Sequence, residues 1–220
     1  MERKYIEIRK TARYFTLGNL TPATKSIWFV CHGYGQLANY FLKKFDVLED
    51  EQTLVVAPEA LNRFYLQGFT GRIGATWMTK EERLNEINDY VSYLDQLYSI
   101  IISDRDLSTI TINILGFSQG VATVCRWIAG KYVKVNNLIL WAGQLPRDMN
   151  VDLTKEILSQ TKTYVIYGKQ DEFLTGVNHN EYIKNFSVAG FSSQVISFEG
   201  KHEIHRDTLI KLNDQILSKK

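Results

Sequence analysis

Residues 109–120 read Thr-Ile-Thr-Ile-Asn-Ile-Leu-Gly-Phe-Ser-Gln-Gly, a run that predicts a buried strand, a sharp turn and the start of a helix. The first seven residues are mostly β-branched and apolar, as in strands that are covered on both faces. Beyond the turn, apolar side chains recur at helical spacing at Val121, Val124, Cys125 and Ile128. The turn has a Gly-x-Ser-x-Gly pattern, which in this context holds a serine with its hydroxyl exposed. An ordinary connection between a strand and a helix is the alternative.

Strand and helix patterns alternate along the rest of the chain. Because parallel strands need crossover connections, this alternation predicts an α/β fold with a mostly parallel central sheet and helices on both faces. Residues 58–80 are predicted to be irregular. The sequence shows no internal repeat and no linker, so residues 1–220 are expected to form a single domain. Strands are predicted at residues 14–17, 26–31, 54–57, 109–115, 138–142, 164–168 and 194–198.

The composition limits the classes of partner. Hydrophobic residues make up 45% of the 220 residues and charged residues 23%, which suffices for a full core. The net charge of +2 gives no reason to expect nucleic acid or an anionic membrane as a partner. The charged N-terminus lacks the apolar segment of a signal peptide, and the apolar runs are too short for stable membrane insertion. A cytoplasmic location is therefore expected, while the oligomeric state stays open.

The two cysteines, Cys31 and Cys125, lie in apolar patterns and are expected to be buried thiols. Neither belongs to a Cys-x-x-Cys pair or to a cluster of cysteine and histidine, so no metal site is expected. The glycine patterns that bind dinucleotides or nucleoside triphosphates do not occur at a junction of strand and helix. We therefore expect chemistry without a cofactor.

Three polar residues that follow predicted strands are candidates for catalysis: Ser118, Asp171 and His202. In a parallel sheet, functional groups gather beyond the carboxyl ends of the strands. A serine hydroxyl becomes a nucleophile when a base such as His202 takes its proton, and Asp171 would orient the imidazole. The order Ser…Asp…His along the chain is the order found in α/β-hydrolases.

Other residues compete for the roles of acid and base. The rival histidines do not directly follow a strand, so His202 is favoured. The rival acids lie in loops after strands or next to Asp171, where an exposed charge is common. The rivals are the acids Asp148, Asp152 and Glu172 and the histidines His179 and His205.

Acyl transfer also needs hydrogen-bond donors for the oxyanion, usually two backbone N–H groups. One is expected from Gln119, the residue after the nucleophile. The other is expected from Tyr34, in the loop His32-Gly33-Tyr34-Gly35 that follows an earlier strand. His32 itself is expected to brace this loop through side-chain hydrogen bonds and not to act as a base.

Several motifs, in order along most of the chain, resemble the phospholipase/carboxylesterase branch of the α/β-hydrolases, which includes acyl-protein thioesterases. The resemblance implies a serine esterase or thioesterase that acts without a cofactor on a small-molecule ester or thioester. It also implies Ser118, Asp171 and His202 as the catalytic triad, with Tyr34 and Gln119 as the oxyanion donors. The motifs are His32-Gly33-Tyr34-Gly35, Ala57-Pro58, Gly116-Phe117-Ser118-Gln119-Gly120, Ala142-Gly143-Gln144-Leu145-Pro146, Asp171 and Gly200-Lys201-His202-Glu203-Ile204.

Residues 61–78 follow the family's pattern only loosely, which leaves the preference for an acyl chain open. This segment is rich in aromatic residues and glycines, and it is expected either to line an acyl pocket or to pack as a surface loop. Whether residues 60–80 move as a lid also stays open. The candidate substrate-binding residues are Phe64, Tyr65, Phe69, Trp77 and Met78, with Leu145 added by the resemblance.

Cleavage of a carboxylic ester or thioester through an acyl-enzyme on Ser118 is the predicted function. Lysophospholipase and peptidase activities are alternatives within the same chemistry. A non-catalytic binding module with a hydrolase fold is the alternative from another class, although no candidate of the triad is replaced. Arg63 and Arg72 are candidates to meet an anionic group of the substrate, or else are solvated side chains.

Overall fold

A computed structural model describes residues 1–103, 105–130, 133–149, 151–174 and 178–218, and the side chains of residues 151–155 lie outside this description. Within it, seven strands form the central sheet in the order β1-β3-β2-β6-β7-β8-β9, and β4 and β5 pair separately. β1 runs antiparallel to β3, and the other pairings of the central sheet are parallel. The strands are β1 Tyr14–Leu17, β2 Ser26–Cys31, β3 Thr53–Pro58, β4 Asn62–Tyr65, β5 Ile73–Thr76, β6 Thr111–Phe117, β7 Asn137–Trp141, β8 Lys162–Gly168 and β9 Ser193–Phe198.

Helices cover both faces of this sheet. One hydrophobic cluster joins the sheet to α2, α3, α4 and α5, and a second cluster joins it to α1 and α6. Short 3-10 turns at Lys43–Leu48 and Glu172–Leu174 extend the connections after α1 and β8. The helices are α1 Ala38–Leu42, α2 Arg83–Ile102, α3 Gln119–Ile128, α4 Val151–Gln160, α5 His179–Val188 and α6 Arg206–Leu217. The predicted α/β fold is confirmed.

The strand β2 shows why continuous apolar runs form the centre of the sheet. All six of its residues are buried, and it pairs with β3 on one side and with β6 on the other. Ile27 and Phe29 point into the first cluster, whereas Trp28 and Val30 point into the second. Because a parallel strand in this position is covered on both faces, both sets of side chains must be apolar.

The structure differs from the sequence prediction in two places. Residues 58–80 are not irregular throughout, because β4 and β5 form a hairpin within them. Its connection uses Gly68 and Gly71 at φ of +57° and +92°, a conformation that glycine adopts without strain. Helix α4 was not predicted, since its short apolar pattern does not stand out from the neighbouring polar residues. None of the helices in the described ranges combines the length and the apolar character needed to cross a membrane.

Candidate active site

Ser118 lies on the sharp turn between β6 and α3, with φ of +54° and ψ of −116°. A residue other than glycine pays for this backbone conformation in strain, and such strain is concentrated at functional sites. The Ser118 N–H donates to the Trp141 carbonyl at 2.9 Å, which ties the turn to β7. A Cβ atom on Gly116 would lie 2.3 Å from the Gly120 oxygen, and one on Gly120 would lie 2.2 Å from the Cys31 oxygen. The two glycines of the pattern are therefore required by the close approach of strand and helix.

Asp171 and His202 form a buried pair at the carboxyl ends of β8 and β9. His202 Nδ1 lies 2.8 Å from Asp171 Oδ2, and the other carboxylate oxygen accepts the Phe173 N–H at 2.9 Å. The side chain of Asp171 is 1% exposed and that of His202 is 13% exposed. An ionised carboxylate only accepts hydrogen bonds, so Nδ1 carries the proton and a neutral His202 ring keeps the lone pair on Nε2.

The aromatic neighbours of His202 place its ring beside the turn that carries Ser118. Phe117 directly precedes the serine, and its ring centroid lies 4.8 Å from that of His202. Phe173 covers the ring from another side at 4.5 Å. The serine turn and the carboxylate–imidazole pair thus meet at one end of the sheet, as expected for side chains that follow parallel strands.

The rival acids and histidines have other partners. Asp148 accepts from Arg83 and Arg126 at 2.7 and 2.8 Å. Burial alone would raise the pKa of Asp148, but the hydrogen bonds from the two arginines outweigh it and lower the pKa to about 2. Within the described residues, the ion pair of His202 with Asp171 is the only one between a histidine and a carboxylate.

The two rival histidines make other contacts. His205 Nδ1 lies 2.9 Å from Thr208 Oγ1, and the His179 ring packs on Tyr167. Glu172 begins the 3-10 turn after β8 and is exposed. The side chain of Asp152 lies outside the described part of the chain.

The loop after β2 brings the second predicted oxyanion donor next to the serine. A Cβ atom on Gly33 would lie 3.1 Å from Ser118 Cβ, so this loop lies directly against the serine. The Gly33 N–H donates to Gln36 Oε1 at 2.8 Å, and the Gly35 N–H donates to the Ala75 carbonyl at 2.9 Å. The Tyr34 N–H, between them, has no acceptor among the described residues. The Gln119 N–H is the first of α3 and therefore has no acceptor within the helix.

His32 braces this loop from inside the protein. The Ala60 N–H donates to His32 Nε2 at 3.1 Å, which fixes the proton on Nδ1, and Nδ1 donates to the Gly33 carbonyl at 2.8 Å. Burial lowers the pKa of His32 to about 4, so the ring is neutral at physiological pH. Both ring nitrogens are occupied and the residue is fully buried, which leaves no nitrogen free to act as a base.

The side chain of Gln119 has a role that the sequence did not predict. Its Oε1 accepts the Trp77 N–H at 3.2 Å, and its Nε2 donates to the Met78 carbonyl and to Thr76 Oγ1 at 3.0 Å. These bonds fasten the end of β5 to the start of α3. These hydrogen bonds could not be predicted from the sequence, because the partners lie about forty residues apart and meet only in the folded protein.

The sequence model of the family described as Serine hydrolase (FSH1) matches residues 24–211. The chain belongs to this serine hydrolase family. That membership confirms the predicted class of enzyme. A search of curated proteins found no match to the chain.

Solved structures show where the fold of this serine hydrolase recurs. An acyl-protein thioesterase 2 from Zea mays superposes with a TM-score of 0.69 at 16% identity, over 94% of this chain and 99% of that one. A carboxylesterase from Mesorhizobium loti superposes with a TM-score of 0.68 at 15% identity, over 94% of each chain. A phospholipase/carboxylesterase from Dyadobacter fermentans superposes with a TM-score of 0.67 at 17% identity, over 96% of this chain and 99% of that one. The similarity confirms the α/β-hydrolase fold that the motifs indicated.

The predicted acyl-pocket residues of the serine hydrolase are not gathered in one place. The Phe64 ring packs on Tyr34 at 5.2 Å, whereas Phe69 is 93% exposed in the hairpin connection and Tyr65 is also exposed. Trp77 is buried, and its Nε1 donates to the His32 carbonyl at 2.9 Å. The other two are half-buried and pack against the first hydrophobic cluster; they are Met78 and Leu145.

A groove of about 770 Å³ opens beside His202 and Phe117 in this serine hydrolase. Its walls come from the loop after β2, the start of α1, the residues before β5 and the segment after His202. None of the six predicted pocket residues lines it. Arg72, which the sequence offered as a contact for an anionic substrate group, does line it. The groove as a whole was not predicted, because its walls come from segments that are distant in sequence.

Proposed function

We propose that this serine hydrolase cleaves carboxylic esters or thioesters through an acyl-enzyme on Ser118. His202 acts as the general base, Asp171 orients it, and the N–H groups of Tyr34 and Gln119 stabilise the oxyanion. The observation that carries the proposal is the 2.8 Å bond of Asp171 to His202, which sits beside the strained serine turn. The carboxylesterase and acyl-protein thioesterase structures that share the fold support the choice of ester and thioester substrates.

The bonds around His202 set the direction of proton transfer. The bond from Nδ1 to Asp171 leaves Nε2 to take the proton of Ser118 as the serine oxygen attacks the acyl carbon. The carbonyl oxygen becomes an oxyanion, which the two N–H groups stabilise by about 2.7–4 kcal/mol for each donor. His202 then gives the proton to the departing alkoxide or thiolate. A water molecule repeats the sequence on the acyl-enzyme and releases the acid.

Labelling with a fluorophosphonate tests the nucleophile directly. The probe is expected to modify the parent protein, and Ser118→Ala is expected to abolish both the labelling and the hydrolysis of p-nitrophenyl esters. Ser187→Ala is the matched control, because Ser187 is exposed on α5 and its hydroxyl donates to the Lys184 carbonyl. Equal labelling of the Ser118→Ala variant would sink the assignment.

A panel of substrates then ranks the possible acyl and leaving groups. It contains p-nitrophenyl esters of increasing chain length, an acyl-CoA and a lysophospholipid. Hydrolysis of the lysophospholipid in preference to all esters would favour the lysophospholipase alternative. A protein that neither reacts with the probe nor turns over any member of the panel would instead be a binding module with a hydrolase fold. The cytoplasmic location stays a prediction from the sequence.

A further inference from the structure

The groove beside His202 has an apolar floor and a basic rim. Phe41, Phe117 and Ile204 contribute the floor and are all buried. Lys44, from the 3-10 turn after α1, and Arg72, from the residues before β5, line the groove and are exposed. A pocket that combines apolar walls with a few charged groups is suited to a small molecule that has an apolar part and an oppositely charged end.

Arg72 differs from most other arginines of the chain in having no carboxylate partner among the described residues, and Lys44 has none there either. Arg13 and Arg63 pair with Glu59, and Arg83 and Arg126 pair with Asp148. Ion pairs of this kind neutralise the arginines of the surrounding structure. The rim cations are left available to a ligand.

The opposing charge near the groove is limited. Glu203 is the carboxylate that lines it within the described residues, and its Oε1 is directed toward the Gly200 turn, 3.1 Å from where a Cβ of Gly200 would lie. Apart from His202, the charged residues that line the groove are therefore two cations and one carboxylate. The balance favours an anionic group over a cationic one.

The position of His202 indicates which part of the substrate enters the groove. As general acid, His202 must reach the leaving oxygen or sulfur within hydrogen-bond distance. His202 lines the groove, so the group attached to that atom extends into it. A negative charge on the alcohol or thiol would then come to the rim.

We infer that the preferred substrates are esters or thioesters whose leaving group carries a carboxylate or phosphate, bound by Arg72 and Lys44. This inference rests on the proposed function, since it assigns the leaving-group side of the same site. Each exposed ion pair is expected to raise kcat/KM by about two- to fivefold, through a lower KM. The preference is expected to shrink at high salt, because the rim charges are screened.

Two matched esters test the charge preference: 4-acetoxyphenylacetate and its neutral methyl ester. Both release a similar phenol, because a methylene group separates the ring from the carboxylate. The ratio of their kcat/KM values is expected to fall about tenfold in the double variant Arg72→Gln/Lys44→Gln. The ratio is expected to be retained in Arg72→Lys/Lys44→Arg, which keeps both charges. Lys211→Gln is the control, because Lys211 is exposed on α6 and does not line the groove.

An unchanged ratio in the double glutamine variant would overturn the inference. A second pair, mono-4-nitrophenyl glutarate and its methyl ester, carries the charge on the acyl side. A charge preference that depends on the rim cations in this pair alone would overturn the assignment to the leaving group. These failures differ from failure of the proposed function, in which the parent protein would hydrolyse no ester, charged or neutral.

Discussion

Two histidines, His32 and His202, lie after strands at the same end of the sheet, yet their surroundings are opposite. His32 follows β2, is fully buried and has both ring nitrogens in hydrogen bonds. His202 follows β9, gives one nitrogen to Asp171 and stands at the wall of an open groove. A place after a strand therefore does not make a histidine a base. The proposal of His202 as the base rests on the carboxylate bonded to Nδ1 and on the position of the ring beside the serine turn.

Removal of His202 is expected to have the largest effect. His202→Gln leaves Ser118 without a proton acceptor, so kcat is expected to fall by about 10⁶-fold, as when a serine hydrolase loses its base. His179→Gln is the control, because His179 packs on Tyr167 away from the pair and should keep the parent's rate. Steady-state hydrolysis of p-nitrophenyl acetate measures both. A loss of less than tenfold in His202→Gln would show that another group takes the proton.

The partner of His202 is tested next. An amide at position 171 can donate to Nδ1 and so favours the tautomer with its proton on Nε2, which cannot accept from Ser118. Asp171→Asn is therefore expected to lower kcat by about 10⁴-fold.

The rival acid supplies the matched variant for this test. Asp148→Asn breaks the pairs with Arg83 and Arg126 but touches no histidine, so its kcat is expected to stay close to that of the parent. Equal losses of activity in the two asparagine variants would mean that the role of Asp171 is structural. Comparison of their kcat values on one neutral ester decides the question.

Much of the fold and of the candidate site was predictable because the signals are local. The continuous apolar strands, the glycines around Ser118 and the polar residues directly after the strands can all be recognised within a few residues of sequence. Asp171 and His202 then pair beside the turn that carries Ser118, because parallel strands end at the same edge. The assignment of roles to these residues stays a proposal that the experiments above test.

What could not be predicted depends on contacts between distant segments. The hairpin of β4 and β5 is fixed to the loop after β2 by the bridge of Gln36 and Ala75, and neither segment indicates the other. Aromatic residues also do not show which way they will face. Trp77 is buried in the core beside His32, whereas Phe69 is exposed. The groove that lies beside His202 is lined by other residues for the same reason.

The neutrality of His32 predicts a dependence of stability on pH. Its pKa is about 4 in the folded protein, against about 6.5 for an unfolded histidine. Between pH 4 and pH 6.5, His32 is therefore protonated in the unfolded chain but neutral in the folded protein. The free energy of unfolding contributed by His32 is therefore full above about pH 6.5 and is expected to fall by about 3 kcal/mol as the pH drops to 4.

Urea unfolding at several pH values between 7 and 4 measures this contribution. His32→Gln cannot titrate, so its free energy of unfolding is expected to change less with pH over this range, although the variant is less stable overall. Asp148, whose pKa is lowered to about 2, is present in both proteins, so the stability that it loses below about pH 5 cancels in the comparison. Parallel pH profiles for parent and variant would contradict a neutral, buried His32.

The smallest expected effects concern the two tryptophans that hold the histidine loops. Trp77 Nε1 donates to the His32 carbonyl, and Trp141 Nε1 donates to the carbonyl of Glu203, next to His202, each at 2.9 Å. Both indoles are buried, so Trp77→Phe and Trp141→Phe each leave a carbonyl without its donor. A loss of about 1–3 kcal/mol in the free energy of unfolding is expected for each, measured by urea titration at pH 7. An unchanged urea midpoint in either variant would show that the backbone of that loop is held by other contacts, and the two histidines would then differ in their support as well as in their free nitrogen.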